Sequence, residues 1–529
     1  MTTRRDALAL AAAALLAAPR WASAQAAKPV PDAVAGLDAW LDAQRSAWRV
    51  PGLAVALVKD GQVIYLQGFG VRNVAQTLPV TTDTLFRGGS TTKAFAAATV
   101  AMLVDEGKLA WDAPASTYIP NLRLAGGEEY RSVSLRDMLS HRTGLPRHDL
   151  LWYNNLGLTR EGLVTRMPFL EMNAPLRARY QYTNLMVVLA GLAVERVSGQ
   201  TWEAFTSARL FAPLGMQRAN LSALDMARDG NHAVGHAMTG ATRTLVPVPL
   251  RHDPLLGPAG AVNASIADYA KWVQLQLGMG QFGGRRLVSV ASMAAMWEPL
   301  VLASSTPREP DFNRSTAGLG WRIDRYRDTL RVAHGGDLNG FTSRVVLLPQ
   351  KNVGLAVLVN HGGHPLPNAV TPDLLDRLLG LTPEDSASKA LARRAAVEAA
   401  ALRRDMPPQA AEGRFSRDSA VEGCPSRDSA AEGCPSRDPA AYAGTYAHPG
   451  YGQMTVAHGA EGLTVRYNDM PAALQHKRFE VFEVRTDRVD HGDFNGLKLN
   501  FRGDDAGAIS GFASTLQEGV QPIFFGRVG

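Results

Sequence analysis

The chain has 529 residues, 46% apolar and 20% charged; that is a globular composition, long enough for two domains and too apolar for a disordered chain. The formal net charge is +6, but it is thinly spread, Arg far outnumbers Lys, and no basic block interleaved with aromatics marks a nucleic-acid module. Only two cysteines occur, Cys424 and Cys434. No Cys/His cluster or His-Glu-x-x-His accompanies them, so neither a metal nor another cofactor is expected.

The N-terminus reads as an address. Arg4 and Arg5, the apolar run of residues 7–18 and Ala22-Ser23-Ala24 have the layout of a signal peptide over residues 1–24. The run is shorter than the roughly 20 residues that cross a bilayer. An Arg pair after Thr3 suggests the twin-arginine route. No later stretch has the length and hydropathy of a transmembrane anchor. The expected mature chain begins near Gln25 and is exported, periplasmic or secreted.

Residues 28–380 read as one mixed α/β (α+β) unit. A helix is expected over residues 38–48. Apolar runs at 53–58 and 63–68 flank Asp60-Gly61, a strong hairpin signal. Residues 91–106 are rich in Ala, Val, Met and Leu and stop at Gly107, a good residue just past a helix. Residues 133–300 are mostly helical with loops, clearest at 188–197 and 267–277. Strands return at 331–333, 342–348 and 354–359, and a helix follows at 373–379. Residues 381–439 form a linker, helical over 384–404. From Ser416 it carries a period-ten repeat without an apolar face, which predicts disorder over 405–438. Both cysteines fall in that repeat, and whether they pair is open. Residues 440–529 show six short alternating runs between turns, the pattern of a small antiparallel barrel or sandwich.

Three motifs carry chemistry. Ser90-Thr91-Thr92-Lys93 places Ser90 and Lys93 on one helix face within hydrogen-bonding reach. A lysine with a depressed pKa there takes the seryl proton, and the helix N-terminus favours an oxyanion. The motif alone fits an ordinary helix cap equally well, and the chain holds a second copy, Ser386-x-x-Lys389, beside the linker. Tyr182-Thr183-Asn184 offers a phenol for proton transfer and an amide to orient a carbonyl; Tyr153-Asn154-Asn155 is its decoy. His334-Gly335-Gly336 lets a substrate lie against a strand; His361-Gly362-Gly363 reads as a plain loop. The chain lacks Gly-x-Ser-x-Gly, which argues against an α/β-hydrolase.

In order and spacing, Ser90-x-x-Lys93, Tyr182-x-Asn184 and His334-x-Gly336 resemble the serine β-lactamase and D,D-peptidase superfamily, in its class C-like branch. Leu139-Ser-His-Arg-Thr-Gly-Leu-Pro146, Leu210-Phe-Ala-Pro-Leu-Gly-Met216, Gly257-Pro-Ala-Gly260 and Gly318-Leu-Gly-Trp321 are similar too. The tail, opening with Tyr442-Ala-Gly-Thr-Tyr446, resembles an appended lipocalin-like domain. Of that domain's histidine- and aromatic-rich segment near 474–482, His476 and Phe482 are present. The resemblance implies an antiparallel sheet flanked by helices, a helical subdomain and a small barrel. It implies acyl transfer to water: Ser90 as nucleophile, Lys93 and Tyr182 as base and acid, Asn184 on the acyl group. The oxyanion hole would be the backbone N–H groups of Ser90 and Asp337. His334 stands where classical members carry Lys-Thr-Gly. A neutral histidine there implies substrates without an obligatory carboxylate, peptides or esters ahead of β-lactams. The expected partner is a small-molecule or peptide substrate. A protein acylated without turnover, acting as a cell-wall-fragment sensor, is the non-enzymatic alternative.

Overall fold

The computed structural model describes residues 32–239, 244–304, 314–405 and 435–528. The 1–24 segment, both cysteines and nearly all of the repeat lie outside the described residues.

Asp60 and Gly61 both adopt positive φ, 52° and 74°, and join strand Gly52–Lys59 to strand Gln62–Asn73. Two left-handed residues in succession match the right-handed twist of the flanking strands. On its other edge Gly52–Lys59 pairs antiparallel with Val353–Val359, from Leu53↔Val359 to Lys59↔Val353. These two strands sit inside a nine-stranded antiparallel sheet. From Leu53 to Val58 and from Val353 to Val359 nearly every side chain is fully buried, because both faces are covered. Helices Leu37–Ala47 and Thr371–Leu379 pack on one face. Helix Ile266–Leu277 and the helical subdomain cover the other. A strand buried on both sides reads as a continuous apolar run rather than an alternation.

Helix Thr92–Asp105 lies at the heart of the subdomain, with twelve of its side chains buried. It has no polar face because helices Asn184–Ser198 and Val290–Met296 and the 257–260 turn surround it. Phe95 stacks on Trp272 with centroids 3.8 Å apart. Full burial of one such ring contributes about 1.5–3 kcal/mol, so the helix start is rigidly anchored.

Two local expectations change. His334-Gly335-Gly336 does not follow a short strand; it lies inside strand Thr329–Leu338. Pairing with Phe341–Leu348, from Val332↔Leu347 to Leu338↔Phe341, carries the strand through glycines that propensity alone disfavours. Helix Asn184–Ser198 begins at Asn184 itself, not at residue 188. Residues 444–528 form a closed eight-stranded antiparallel barrel, the architecture of a lipocalin-like domain. Its buried rings include Tyr446, Phe501, Phe512 and Phe525, with Phe512 stacked on Phe525 at 5.1 Å. Strands Gly444–His448 and Met470–Arg478 add to the six runs expected.

Candidate active site

Ser90 sits in the 3-10 turn Gly89–Thr91, which runs directly into helix Thr92–Asp105. The turn is clamped from three sides. Thr91 Oγ1 lies 2.7 Å from Tyr269 OH. Ser343 Oγ donates to the Gly88 carbonyl at 2.6 Å. Strand Thr329–Leu338 presses so close that a Cβ on Gly336 would stand 1.9 Å from the Gly88 oxygen. Glycine at 336 is therefore a packing requirement.

Lys93 Nζ lies 3.0 Å from Ser90 Oγ and donates to the Ala259 carbonyl at 2.8 Å. The side chain is fully buried. Burial, and then the nearby Arg147 charge, hold its ammonium well below the usual lysine range. A neutral amine that gives one N–H to Ala259 keeps a lone pair for the seryl proton. Tyr182 OH donates to Ser90 Oγ at 2.7 Å, and burial pushes its phenol above the usual tyrosine range. These shifts favour the neutral form of both flanking groups, with the amine as acceptor and the phenol as donor.

His334 and Asn184 stand on opposite sides of Ser90, each lining a different cavity. His334 is buried. Burial and the neighbouring Lys93 bring its pKa down to about 3, so the ring is neutral. Its Nδ1 lies 2.6 Å from the Gly335 carbonyl; a carbonyl only accepts, so the proton is on Nδ1. This side opens into a groove of about 790 Å³ that also holds Arg147, Arg322, Arg331 and Arg344. A neutral His334 therefore does not leave the groove without cations. Asn184 lines a smaller cavity of about 250 Å³ with Ser90 and donates Nδ2 to Asp149 Oδ1 at 3.1 Å. Asp337 lines both cavities. Its backbone N would stand 3.0 Å from a Cβ on Gly89, next to the Ser90 turn.

The structure thus gathers Ser90, Lys93, Tyr182, Asn184, His334, Gly336 and Asp337 around one point. The decoys fall elsewhere or change meaning. Lys389 is exposed at the start of helix Ser386–Asp405. Tyr153 lines the smaller cavity. The 361–363 loop touches the site, its Gly363 N–H donating to the Asp337 carboxylate. Residues without a motif signal also reach the site, including Arg147, Asp149, Gly492 and Asp493. His141 lies within the Leu139–Pro146 segment already noted. It is buried, its ring 4.5 Å from that of Tyr182, and its Nδ1 accepts from Thr183 N at 3.3 Å.

One buried carboxylate holds this segment in place. Asp137 is fully buried. It accepts from Arg142 Nε at 2.6 Å and from Arg177 Nε and Nη2 at 3.0 and 2.8 Å. Arg177 N and Gln181 N in turn bond to the Arg142 and His141 carbonyls, both at 2.7 Å, which ties the lead-in of Tyr182 to the His141 turn. Burial raises the Asp137 pKa, but the bonds from Arg177, Arg142 and Ser134 outweigh it and the net shift is downward. We expect Asp137→Asn to cost about 2–3 kcal/mol in urea unfolding, low for a buried ion pair because Arg177 is half-exposed. A carboxyl with a lowered folded pKa stabilises above its unfolded value near 3.9 and loses that effect as pH falls through the folded value. The gap between variant and wild type should therefore be full at pH 7 and close under strong acid.

A nine-stranded antiparallel sheet backed by helices, with Ser, Lys and Tyr converging beside its interior strand Thr329–Leu338, defines a class of protein. The beta-lactamase family profile matches residues 37–380, and the chain belongs to that family. A domain of unknown function (DUF3471) matches residues 428–527. Among curated relatives, "Unguisins hydrolase ungD'" of Aspergillus campestris is 30% identical over 354 residues, 64% of each chain. "Penicillin-binding protein 4" of Amycolatopsis lactamdurans is 28% identical over 64% of this chain and 87% of its own. The chain thus spans about 64% of the length of the first of these relatives. Among solved structures, an octameric penicillin-binding protein homologue from Pyrococcus abyssi aligns with TM-score 0.60 and 22% identity, over 93% of this chain and 99% of that one. No helix among the described residues is long and apolar enough to cross a membrane.

Proposed function

We propose that this protein is an exported serine hydrolase that cleaves an amide or ester through an acyl-enzyme on Ser90, in the manner of a peptidase, D-aminopeptidase or esterase. One observation carries the reading: Ser90 Oγ lies within hydrogen-bonding distance of both the buried Lys93 amine and the Tyr182 phenol. Ser90 attacks the carbonyl carbon and its proton passes to Lys93. The oxyanion is held by the N–H of Ser90 at the helix start and that of Asp337 on the adjoining strand. The proton returns to the leaving group through Tyr182. Water activated by Tyr182 then attacks the acyl-enzyme ester, and Ser90 Oγ leaves as it takes back a proton. Asn184 orients the acyl group, and no cofactor takes part. A relative named as a hydrolase supports turnover over a sensor role, and the residues 1–24 pattern supports export.

The test is a substrate panel with the full-length protein: p-nitrophenyl butyrate, D- and L-amino-acid p-nitroanilides, a D-Ala-D-Ala peptide and nitrocefin. Hydrolysis of esters or aminoacyl anilides is expected. A stable adduct on Ser90 with no turnover of any member would sink the reading in favour of a sensor.

A second reading, a class C-type β-lactamase or D,D-carboxypeptidase, rests on Arg322 and Arg344 in the His334 groove, which offer charge to a leaving-group carboxylate. His334→Lys separates the two. A partly desolvated cation beside a carboxylate is worth about tenfold in relative specificity. If the missing lysine limits β-lactam turnover, kcat/KM for nitrocefin should rise about tenfold relative to p-nitrophenyl butyrate. An unchanged ratio would mean that the arginines already supply this charge.

A further inference from the structure

The smaller cavity beside Ser90 draws its walls from both ends of the chain. Leu150, Trp152, Tyr153, Leu256 and Leu338 give it an apolar side that faces the polar groups of Arg147, Asp149, Asn184 and Asp337, and Gly492 and Asp493 of the barrel line it as well. The barrel does not merely pass nearby. Asn468 Nδ2 donates to the carbonyls of Leu150 and Tyr153 at 3.2 and 2.9 Å. Tyr451 OH lies 2.6 Å from His148 Nδ1. Arg251 Nε donates to Asp490 Oδ2 at 2.9 Å, and Asp490 also takes Arg488. The cavity-lining loop 147–154 and the barrel turn that faces it are thus pinned to each other.

The charges of this cavity are unevenly matched. Arg147 is bonded to Asp149, Nε to Oδ2 at 2.6 Å. Asp149 also accepts from Trp152 Nε1 and Asn184 Nδ2. The Asp337 carboxylate is taken by Thr342 and the Gly363 N–H. Among the described residues the Asp493 carboxylate makes no hydrogen bond or ion pair. It is exposed and lines the cavity; its charge reaches Arg147 and Tyr153 only through space, whereas Asp149 and Asp337 are directly hydrogen-bonded.

We infer that the C-terminal barrel is a working part of the active site: its Gly492-Asp493 turn forms the outer wall of the acyl pocket, and the Asp493 carboxylate selects acyl donors that carry an ammonium group, such as a short aminoacyl unit. The inference rests on the assignment of Ser90 as nucleophile and deepens it. The acyl side, about 250 Å³, is small and acidic at its mouth; the leaving-group side, about 790 Å³, is wide and lined with arginines. A donor with a compact cationic acyl part and a larger leaving group fits both. Asp493 is a specificity-determining residue, and it acts on binding of the donor rather than on the reacting bond.

The experiment compares alanine p-nitroanilide with propionyl p-nitroanilide, which differ by the ammonium alone. With wild-type full-length protein the alanyl substrate should be favoured in kcat/KM by about tenfold, the usual scale for a charged hydrogen bond. Asp493→Asn should bring that ratio close to one, and Asp493→Glu should restore part of it. Asp505→Asn, on a distant exposed barrel turn, should leave it unmoved. A ratio unaffected by Asp493→Asn overturns the inference. Should the wild type cleave neither anilide, ligand-observed NMR of alaninamide and propionamide decides. Weaker binding of alaninamide alone to the Asp493→Asn protein supports the inference, and equal binding overturns it. Labelling of Ser90 by a fluorophosphonate is scored separately. Its absence in the wild type overturns the nucleophile assignment, whereas labelling with no alanyl preference overturns only the role of Asp493.

Discussion

Ser90→Ala is expected to remove turnover of every substrate, by about 10⁶-fold where the starting activity allows it to be read, the scale seen when a serine enzyme loses its nucleophile. The fold should survive, because Ser90 contributes only its Oγ contacts to Lys93 and Tyr182 while the turn is held by Thr91, Tyr269 and Ser343. Ser386→Ala is the matching control, since its motif partner Lys389 is exposed. The measurement is kcat/KM with thermal unfolding of the same samples. Equal activity of the two variants would refute the assignment of Ser90.

Lys93→Met is expected to have the next largest effect, about 10²–10⁴-fold in kcat/KM, the range for loss of a positioned general base. Methionine keeps the length and apolar stem, so the fully buried site stays filled. What is lost is the lone pair facing Ser90 and the bond to Ala259. The pH profile distinguishes this from a packing defect. Burial and Arg147 lower the pKa of Lys93, which favours the unprotonated amine. Wild-type activity should fall only as pH drops through that lowered value, and the acid limb assigned to Lys93 should be missing from the residual activity of Lys93→Met. An identical acid limb in both proteins would move the base role to another group.

Much of the fold is legible in local sequence. Asp60-Gly61 between apolar runs specifies its hairpin because two left-handed residues suffice. Residues 91–106 specify a helix through composition and the Gly107 stop, where φ is 69°. The strand around His334-Gly335-Gly336 is less legible, since tertiary pairing with Phe341–Leu348 overrides the glycines. Short edge strands such as Val301–Ser304 and Ser315–Ala317 hold too few residues for a period to show. The motif residues of the candidate site could be found because each triplet is local. Arg147, Asp149 and Asp493 could not, because their meaning arises only when loops several hundred residues apart meet. Arg322 and Arg344 change the reading of the His334 groove for the same reason: nothing in the chain order shows that two other strands turn arginines toward it.

The interior position of strand Gly52–Lys59 in the sheet has a consequence for biogenesis. One neighbour, Gln62–Asn73, is made at once, but the other, Val353–Val359, is synthesised some 300 residues later. Until then this apolar strand has an unpaired edge and cannot be buried on both faces. Such a topology has high contact order, folds slowly and exposes an aggregation-prone edge during synthesis. Chains truncated before residue 353 should collect in inclusion bodies even though they retain Ser90, Lys93, Tyr182 and His334. The order of emergence from the ribosome, more than the final stability of the sheet, then sets how much soluble protein a cell obtains, and the yield should respond to slower translation or added holdase chaperone.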